Sequence, residues 1–302
     1  MIGREGAVER LLYDIFWSHF CEKARFCLDF KRLPYTLVRV NPFTRRQVID
    51  LGARGDVPVL KDGESVIVGT DRIAAHLEEA YPDPPLLPRD PKARAEVLAL
   101  EKKCDEWLGP DARRVAYQVA LASPAMLLGT ILWTRPPKRW LNGWMLRLVE
   151  PRLRRKFRIY HQDVEESRER LRAFLPELQS RAAPTGFLVG DRMTLADIAA
   201  VSLLDPLEIV PEFVREPAYA NLFAWKRRLA GAHKRRQRTP WLSGDPPPPA
   251  IRASRRSAPD GQRAGAPLRR LIGSARRGAR AAGRGRHPRS GGATARAPSG
   301  RR

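Results

Sequence analysis

The hydrophobic pattern of the first eighty residues alternates between strand-like and helix-like stretches. Leu11–Phe16 (LLYDIF) is an apolar run of strand length. Between Phe20 and Lys31, Ala24, Cys27, Leu28 and Lys31 fall at helical spacing. That predicts a helix stopped at Leu33-Pro34, because the residue before a proline is pushed out of the helical region. Tyr35–Val40 is rich in β-branched and aromatic residues and predicts a second strand. Thr44–Leu51 predicts a short helix capped by Thr44. Val57–Leu60 and Glu64–Val68 predict two strands, with Lys61-Asp62-Gly63 as their hairpin turn. In Thr70–Ala80, Ile73, Ala74, Leu77 and Ala80 share one helical face. The order βαβα then ββα requires a right-handed crossover between parallel strands, followed by an antiparallel hairpin. The expected core is a mixed four-stranded sheet with helices on its faces.

After Tyr81 the pattern changes. Residues 81–91 hold prolines at 82, 84, 85, 88 and 91 and read as a linker. From Lys92 to about Trp241 the spacing is helical throughout. Asp90 is placed to cap the first of these helices, with Pro91 at its first position. Thr194 and Asp197 have capping-box spacing, and the residues to Leu204 are apolar nearly all round, so that helix is predicted to be central and buried. Val119–Trp133 is a long apolar run, but shorter than the roughly 20 residues of a spanning helix.

Composition matters chiefly through its uneven distribution. The chain has 302 residues and a net charge of +23, of which residues 245–302, with 15 Arg and 2 Asp, supply +13. That tail is Arg, Pro, Gly, Ala and Ser without an apolar face, which predicts disorder after residue 243. It lacks aromatics for base stacking and reads more as an unselected extension than as a nucleic-acid module. Cys21, Cys27 and Cys104 form no CxxC pair, which argues for a reducing, cytoplasmic setting. Leu11–Trp17, interrupted by Asp14, does not read as a signal peptide.

Several short motifs remain. Ser18-x-x-Cys21-x-x-Ala24-Arg25 follows the first strand. Val57-Pro58 opens the third. Thr70 starts the third helix, with EEAYPDPPLLPRDP behind it, and Thr194-x-x-Asp197 lies far downstream. In this order and spacing, over roughly residues 10–242, the chain resembles the glutathione S-transferases. The resemblance implies a thioredoxin-like domain over 10–81, a linker over 82–91, an all-helical domain over 92–242 and a tail over 243–302. It implies glutathione as co-substrate, a small hydrophobic electrophile as second substrate, no metal, and a homodimer.

The resemblance also assigns roles. Ser18 matches the hydroxyl that stabilises the glutathione thiolate at the start of the first helix. A helix dipole contributes roughly 0.3–1 kcal/mol there, and a charge-assisted hydrogen bond about 1.5–3 kcal/mol. The competing reading is a plain helix cap. Val57 and Pro58 match the backbone station for the cysteinyl unit, the proline being cis in this fold. Thr70 and Asp71 match the γ-glutamyl station, although Gly69 stands where the family usually has an acid. Either they bind that group or they only cap the helix.

Cys21 reads as a buried residue, since no first cysteine precedes it for it to resolve. Cys27 and Cys104 read as core. Arg45 and Arg46 read as a solvated face, with the glycine carboxylate of glutathione as the alternative. Trp107, Tyr117, Met126 and Trp133 are candidates to line the acceptor pocket. Arg135–Arg158, with Trp140 and Trp144 a turn apart, suits either a membrane-surface helix or an enlarged interhelical segment. The alternative to an enzyme is a non-catalytic member of the same fold, used for binding or as a scaffold.

Overall fold

The computed structural model describes residues 9–42, 44–122 and 150–234, which pack as one compact unit. Strand β1 (Arg10–Asp14) leads into α1 (His19–Phe30), then β2 (Thr36–Arg39), α2 (Arg46–Ile49), β3 (Val59–Asp62), β4 (Ser65–Val68) and α3 (Thr70–Ala80). The sheet order is β2-β1-β3-β4. β1 runs parallel to β2 and antiparallel to β3, with Leu12 opposite both Leu37 and Leu60. The hairpin turns at Gly63, whose φ of +58° suits a residue without a Cβ. This is the expected mixed four-stranded sheet.

The helical part follows: α4 (Pro91–Lys103), a π-helical segment (Cys104–Leu108), α5 (Gly109–Ala122), α6 (His161–Ala182), α7 (Leu195–Leu203), α8 (Pro211–Val214) and α9 (Ala220–Lys234). Residues 150–157 are also helical. Asp90 caps α4 through Ala93 N at 2.8 Å, as its position predicts. The capping box of α7 is formed, and every residue of that helix is buried. The remainder is less continuous than the sequence suggests: residues 184–194 and the 3-10 turns at Asp205–Ile209 and Pro217–Tyr219 interrupt it. Pro184, Gly186, Gly190 and Pro206 break the helical ladder there.

α1 is the shared element. Its apolar residues Ala24, Phe26, Cys27 and Leu28 belong to one core that continues through α3, α4, α6 and α7. Lys23, fully buried in α1, reaches Glu101 at 2.5 Å and Asp105 at 2.7 Å. At the far end of α9, His233 stacks on Phe26 with ring centres 4.3 Å apart. It sits between Asp29 (2.9 Å) and Glu22 (3.2 Å).

Two local expectations are corrected. Thr44 does not cap α2: Arg45 holds the N-cap position in the left-handed region at φ +50°, and no side chain caps the helix. Asn41 Oδ1 accepts from Thr44 N instead, at 3.2 Å, so an Asx turn displaces the expected cap. The first strand ends at Asp14 rather than Phe16, because Ser18 N turns back to Ile15 O at 2.9 Å. The tail after 243, residues 135–149, Met126 and Trp133 lie outside the described residues.

Candidate functional site

The end of β1 is fixed by charge. Asp14 is fully buried and pairs with Arg25 of α1 and, at 2.6 Å, with Arg39 of β2. This lock sets the turn that delivers Ser18 to the N-cap of α1, where its Oγ accepts from Cys21 N at 3.3 Å. Its remaining donor meets the Cys21 thiol. Burial, aided by Asp14, pushes that thiol up to about 11, so it stays neutral and is a weak acceptor. A thiolate arriving at the helix end would outcompete it. The cap and a hydrogen bond donated by Ser18 therefore use different faces of the same hydroxyl. Cys21 itself is buried, as are Cys27 and Cys104.

His19, beside Ser18, is not a base. Burial and the nearby Arg113 lower its pKa to about 3, and its ring is hydrogen-bonded to the Gly109 backbone.

The other sequence candidates meet at the same end of the sheet. Tyr13 of β1 faces Val59 of β3, so the turn after β1 lies beside the residues that precede β3. The Val57-Pro58 bond is cis. No described residue hydrogen-bonds the Val57 N–H or C=O. Gly69 N donates to Pro58 O at 3.1 Å and ties this station to the start of α3.

At α3 the structure departs from a simple cap. Gly69 takes the N-cap position at φ +97°, and neither Thr70 nor Asp71 caps the helix. The Thr70 hydroxyl instead donates to Asp105 Oδ2 at 3.2 Å, and Asp105 is held by Lys23. Asp105 stands in the π-helical segment, whose wider turn alters the direction of its side chains. This acid on the helical side, beside Thr70, is a residue that sequence reasoning missed. Only the local DEW run, with no periodic signal, hinted at it.

Arg45 is half-buried rather than fully solvated. It donates to Gly55 O at 2.6 Å and to Pro42 O at 3.3 Å, pinning the loop before Val57. Arg46 is exposed, in line with a solvated face.

The helical wall opposite Ser18 comes from α5. Gly109 lies so close to Phe20 that an added Cβ would sit 2.8 Å from the ring. One turn on, Arg113 lies over the Phe20 and Phe157 rings, 5.8 and 4.6 Å from their centres. Another turn on, Tyr117 meets Phe157 edge-on at 5.1 Å and is hydrogen-bonded to Trp17. Burial raises the Tyr117 pKa. Trp17, His19 and Phe20 thus surround Ser18 and all touch α5. Trp107, by contrast, is 51% exposed and stands on the outer surface, above Lys103. Among the described residues no cluster of His, Cys, Asp or Glu is arranged to hold a metal ion. No described helix is long and apolar enough to cross a membrane.

Comparisons with known proteins agree with this architecture. The model of the glutathione S-transferase N-terminal domain matches residues 12–85, and that of the C-terminal domain matches residues 144–232. FtsZ-localized protein A from Caulobacter vibrioides is 28% identical over 207 residues, covering 67% of this chain and 78% of that protein. Glutathione S-transferase Z1 from Arabidopsis thaliana is 37% identical over 98 residues, 31% of this chain and 44% of that protein. Among solved structures, the β-etherase LigF from Sphingobium superposes with a TM-score of 0.57 at 20% identity, covering 75% of this chain and 99% of that one. With both family domains matched in order along one chain, this protein belongs to the glutathione S-transferase family.

Proposed function

We propose that this protein is a glutathione-dependent transferase that stabilises the glutathione thiolate with Ser18 and adds it to a small hydrophobic electrophile. The observation that carries the reading is the Ser18 hydroxyl. It stands at the start of α1 with only a neutral thiol to donate to, at the end of the sheet where the Val57 backbone is open to an extended peptide. Val57 would pair with the cysteinyl unit, and the first N–H groups of α3 would receive the γ-glutamyl carboxylate. Because the Thr70 hydroxyl is already donated to Asp105, its oxygen is left to accept from the γ-glutamyl ammonium. Asp105 supplies negative charge where Gly69 does not. A homodimer and a cytoplasmic setting belong to the same reading.

Calorimetry with glutathione, and a thiolate absorbance titration of the bound thiol, test it. Ser18→Ala should raise the bound thiol pKa by about 1–2 units while binding persists, reflecting the loss of one charge-assisted hydrogen bond. Absence of glutathione binding to the wild-type protein overturns the reading.

A second reading has its own support. The relative named for localisation with FtsZ, the glycine at position 69 and the committed Thr70 hydroxyl together favour a non-catalytic binding role. In that case the wild-type protein fails to bind glutathione but is captured by purified FtsZ.

A further inference from the structure

Buried cations in this protein come with counter-charges. Lys23 has Glu101 and Asp105, Lys31 has Glu78, and Lys226 has Asp205 and Glu208. Such pairing is the rule, because an uncompensated buried charge is costly. Arg113, half-buried in α5, has no such partner. No described carboxylate lies within ion-pairing distance of its guanidinium, and its Nε is buried without a hydrogen-bond partner among the described residues. The neighbouring sequence cannot supply one either, since residues 112–149 contain no Asp or Glu. Burial, with Arg114 nearby, already pushes the guanidinium pKa down. The Phe20 and Phe157 ring faces stabilise the cation but accept none of its five N–H donors in the way a carboxylate does.

Around it lies an apolar surface of suitable kind. Phe20, Tyr117 and Phe157 border Arg113, and Trp17, hydrogen-bonded to Tyr117, precedes Ser18 in the chain. Lys156 and Arg45 act on one another electrostatically from the helical and sheet sides, with Asp56 as the acid among the groups acting on Lys156. The surroundings of Arg113 are therefore aromatic and positively charged.

We propose that this wall is the acceptor site for an aromatic electrophile bearing a carboxylate, with Arg113 as the carboxylate anchor. The inference rests on the transferase reading above and names the class of its second substrate. The carboxylate takes the open guanidinium donors, and the ring lies along Phe20, Tyr117 and Phe157, beside Ser18. In the reaction with a chloronitrobenzoate, the glutathione thiolate attacks the ring carbon that bears chlorine. A C–S bond forms, the C–Cl bond breaks, and chloride leaves with the bonding pair. The thiol proton passes to solvent, and nothing is oxidised or reduced. A site whose buried donors expect an acceptor discriminates strongly against an analogue that lacks it.

The test uses the full chain and needs no glutathione in its first arm. Cinnamate and its neutral amide, cinnamamide, are titrated by tryptophan fluorescence against wild type, Arg113→Met and Arg113→Lys. Cinnamate should bind at least about tenfold more tightly than the amide to wild type. The preference should vanish in Arg113→Met and return in part in Arg113→Lys. The Arg-rich tail is present in all three proteins, so its attraction for anions cancels. Equal binding of the two probes to wild type, or a preference that survives in Arg113→Met, overturns the proposal. The second arm measures glutathione conjugation of chloronitrobenzoate against chloronitrobenzamide, where wild type should favour the acid in kcat/KM by a similar factor. If the cinnamate preference holds while no glutathione binds, the transferase reading fails and the anion anchor stands. If glutathione binds and the preference is absent, the anchor alone fails.

Discussion

Lys23 shows how much one side chain can carry. Its ammonium is the common counter-charge of Glu101 and Asp105, and through Asp105 it orients the hydroxyl of Thr70. Burial alone would lower its pKa, but the two carboxylates raise it, so it remains charged. Replacing it with Met leaves two partly buried carboxylates facing one another. The expected cost is about 3–5 kcal/mol of stability, measured by urea unfolding. A loss below about 1 kcal/mol would mean that water enters and solvates the acids. None of this was legible in the sequence, because Lys23 and Glu101 are 78 positions apart and only the folded chain makes them neighbours. The role of Arg113 was hidden for the same reason. Ser18, Val57, Pro58 and Thr70 could be singled out because each sits at a local boundary that leaves a mark in sequence: a strand end, a proline, a helix start.

At the scale of elements, the docking of α9 on α1 is expected to depend on pH. His233 lies between Glu22 and Asp29, and Glu22 also faces Arg25. Burial opposes the charged imidazole, but the two carboxylates win and raise its pKa above the ordinary 6.5. Its contribution is therefore complete below that value and is lost as pH rises through the folded pKa. Glu22 behaves in the opposite sense. Burial would raise it, but His233 and Arg25 hold it well below the ordinary 4.5, so its share is present above that value and is lost in acid. The contact is strongest between about pH 4.5 and 6.5. His233→Gln should cost about 2 kcal/mol near the middle of that window and much less in mild alkali, read as the gap between melting curves at each pH. A gap that does not change with pH would show that His233 acts by stacking on Phe26 alone. Element types were largely readable: the Asp-Gly hairpin, the Asp90 cap and the Thr194–Asp197 box all announce themselves locally. The cap of α2 was not, because the Asn41 turn competed with Thr44, and that outcome depends on where the loop to Gly55 must go.

At the scale of the whole molecule, charge is unevenly placed. Residues 245–302, outside the described residues, carry +13 of the +23 charges. Deleting residues 245–302 should leave the melting temperature of the remainder unchanged. It should also lower the salt concentration at which the protein elutes from heparin, because fewer counter-ions are released per molecule bound. Unchanged elution would place the polyanion-binding charge on the folded part. The family and its architecture were readable because hydrophobic period and short motifs agree over most of the chain. Of the proposed acceptor wall only Tyr117 was singled out, since the rest is assembled from α5, residue 157 and the turn after β1.

α1 bears on how ligands get in. Its start carries Ser18, its middle is bolted to α4 and the π-helical segment by Lys23, and its last turns are clasped by α9 at His233. A helix fastened at each stage to the helical half resists relative swinging, since any such motion must break these ion pairs. On the proposed transferase reading, substrates would then enter by rotation of side chains such as Trp17 and Phe20. Selection among electrophiles would become a matter of shape and charge at first contact, with little clamshell closure to delay association.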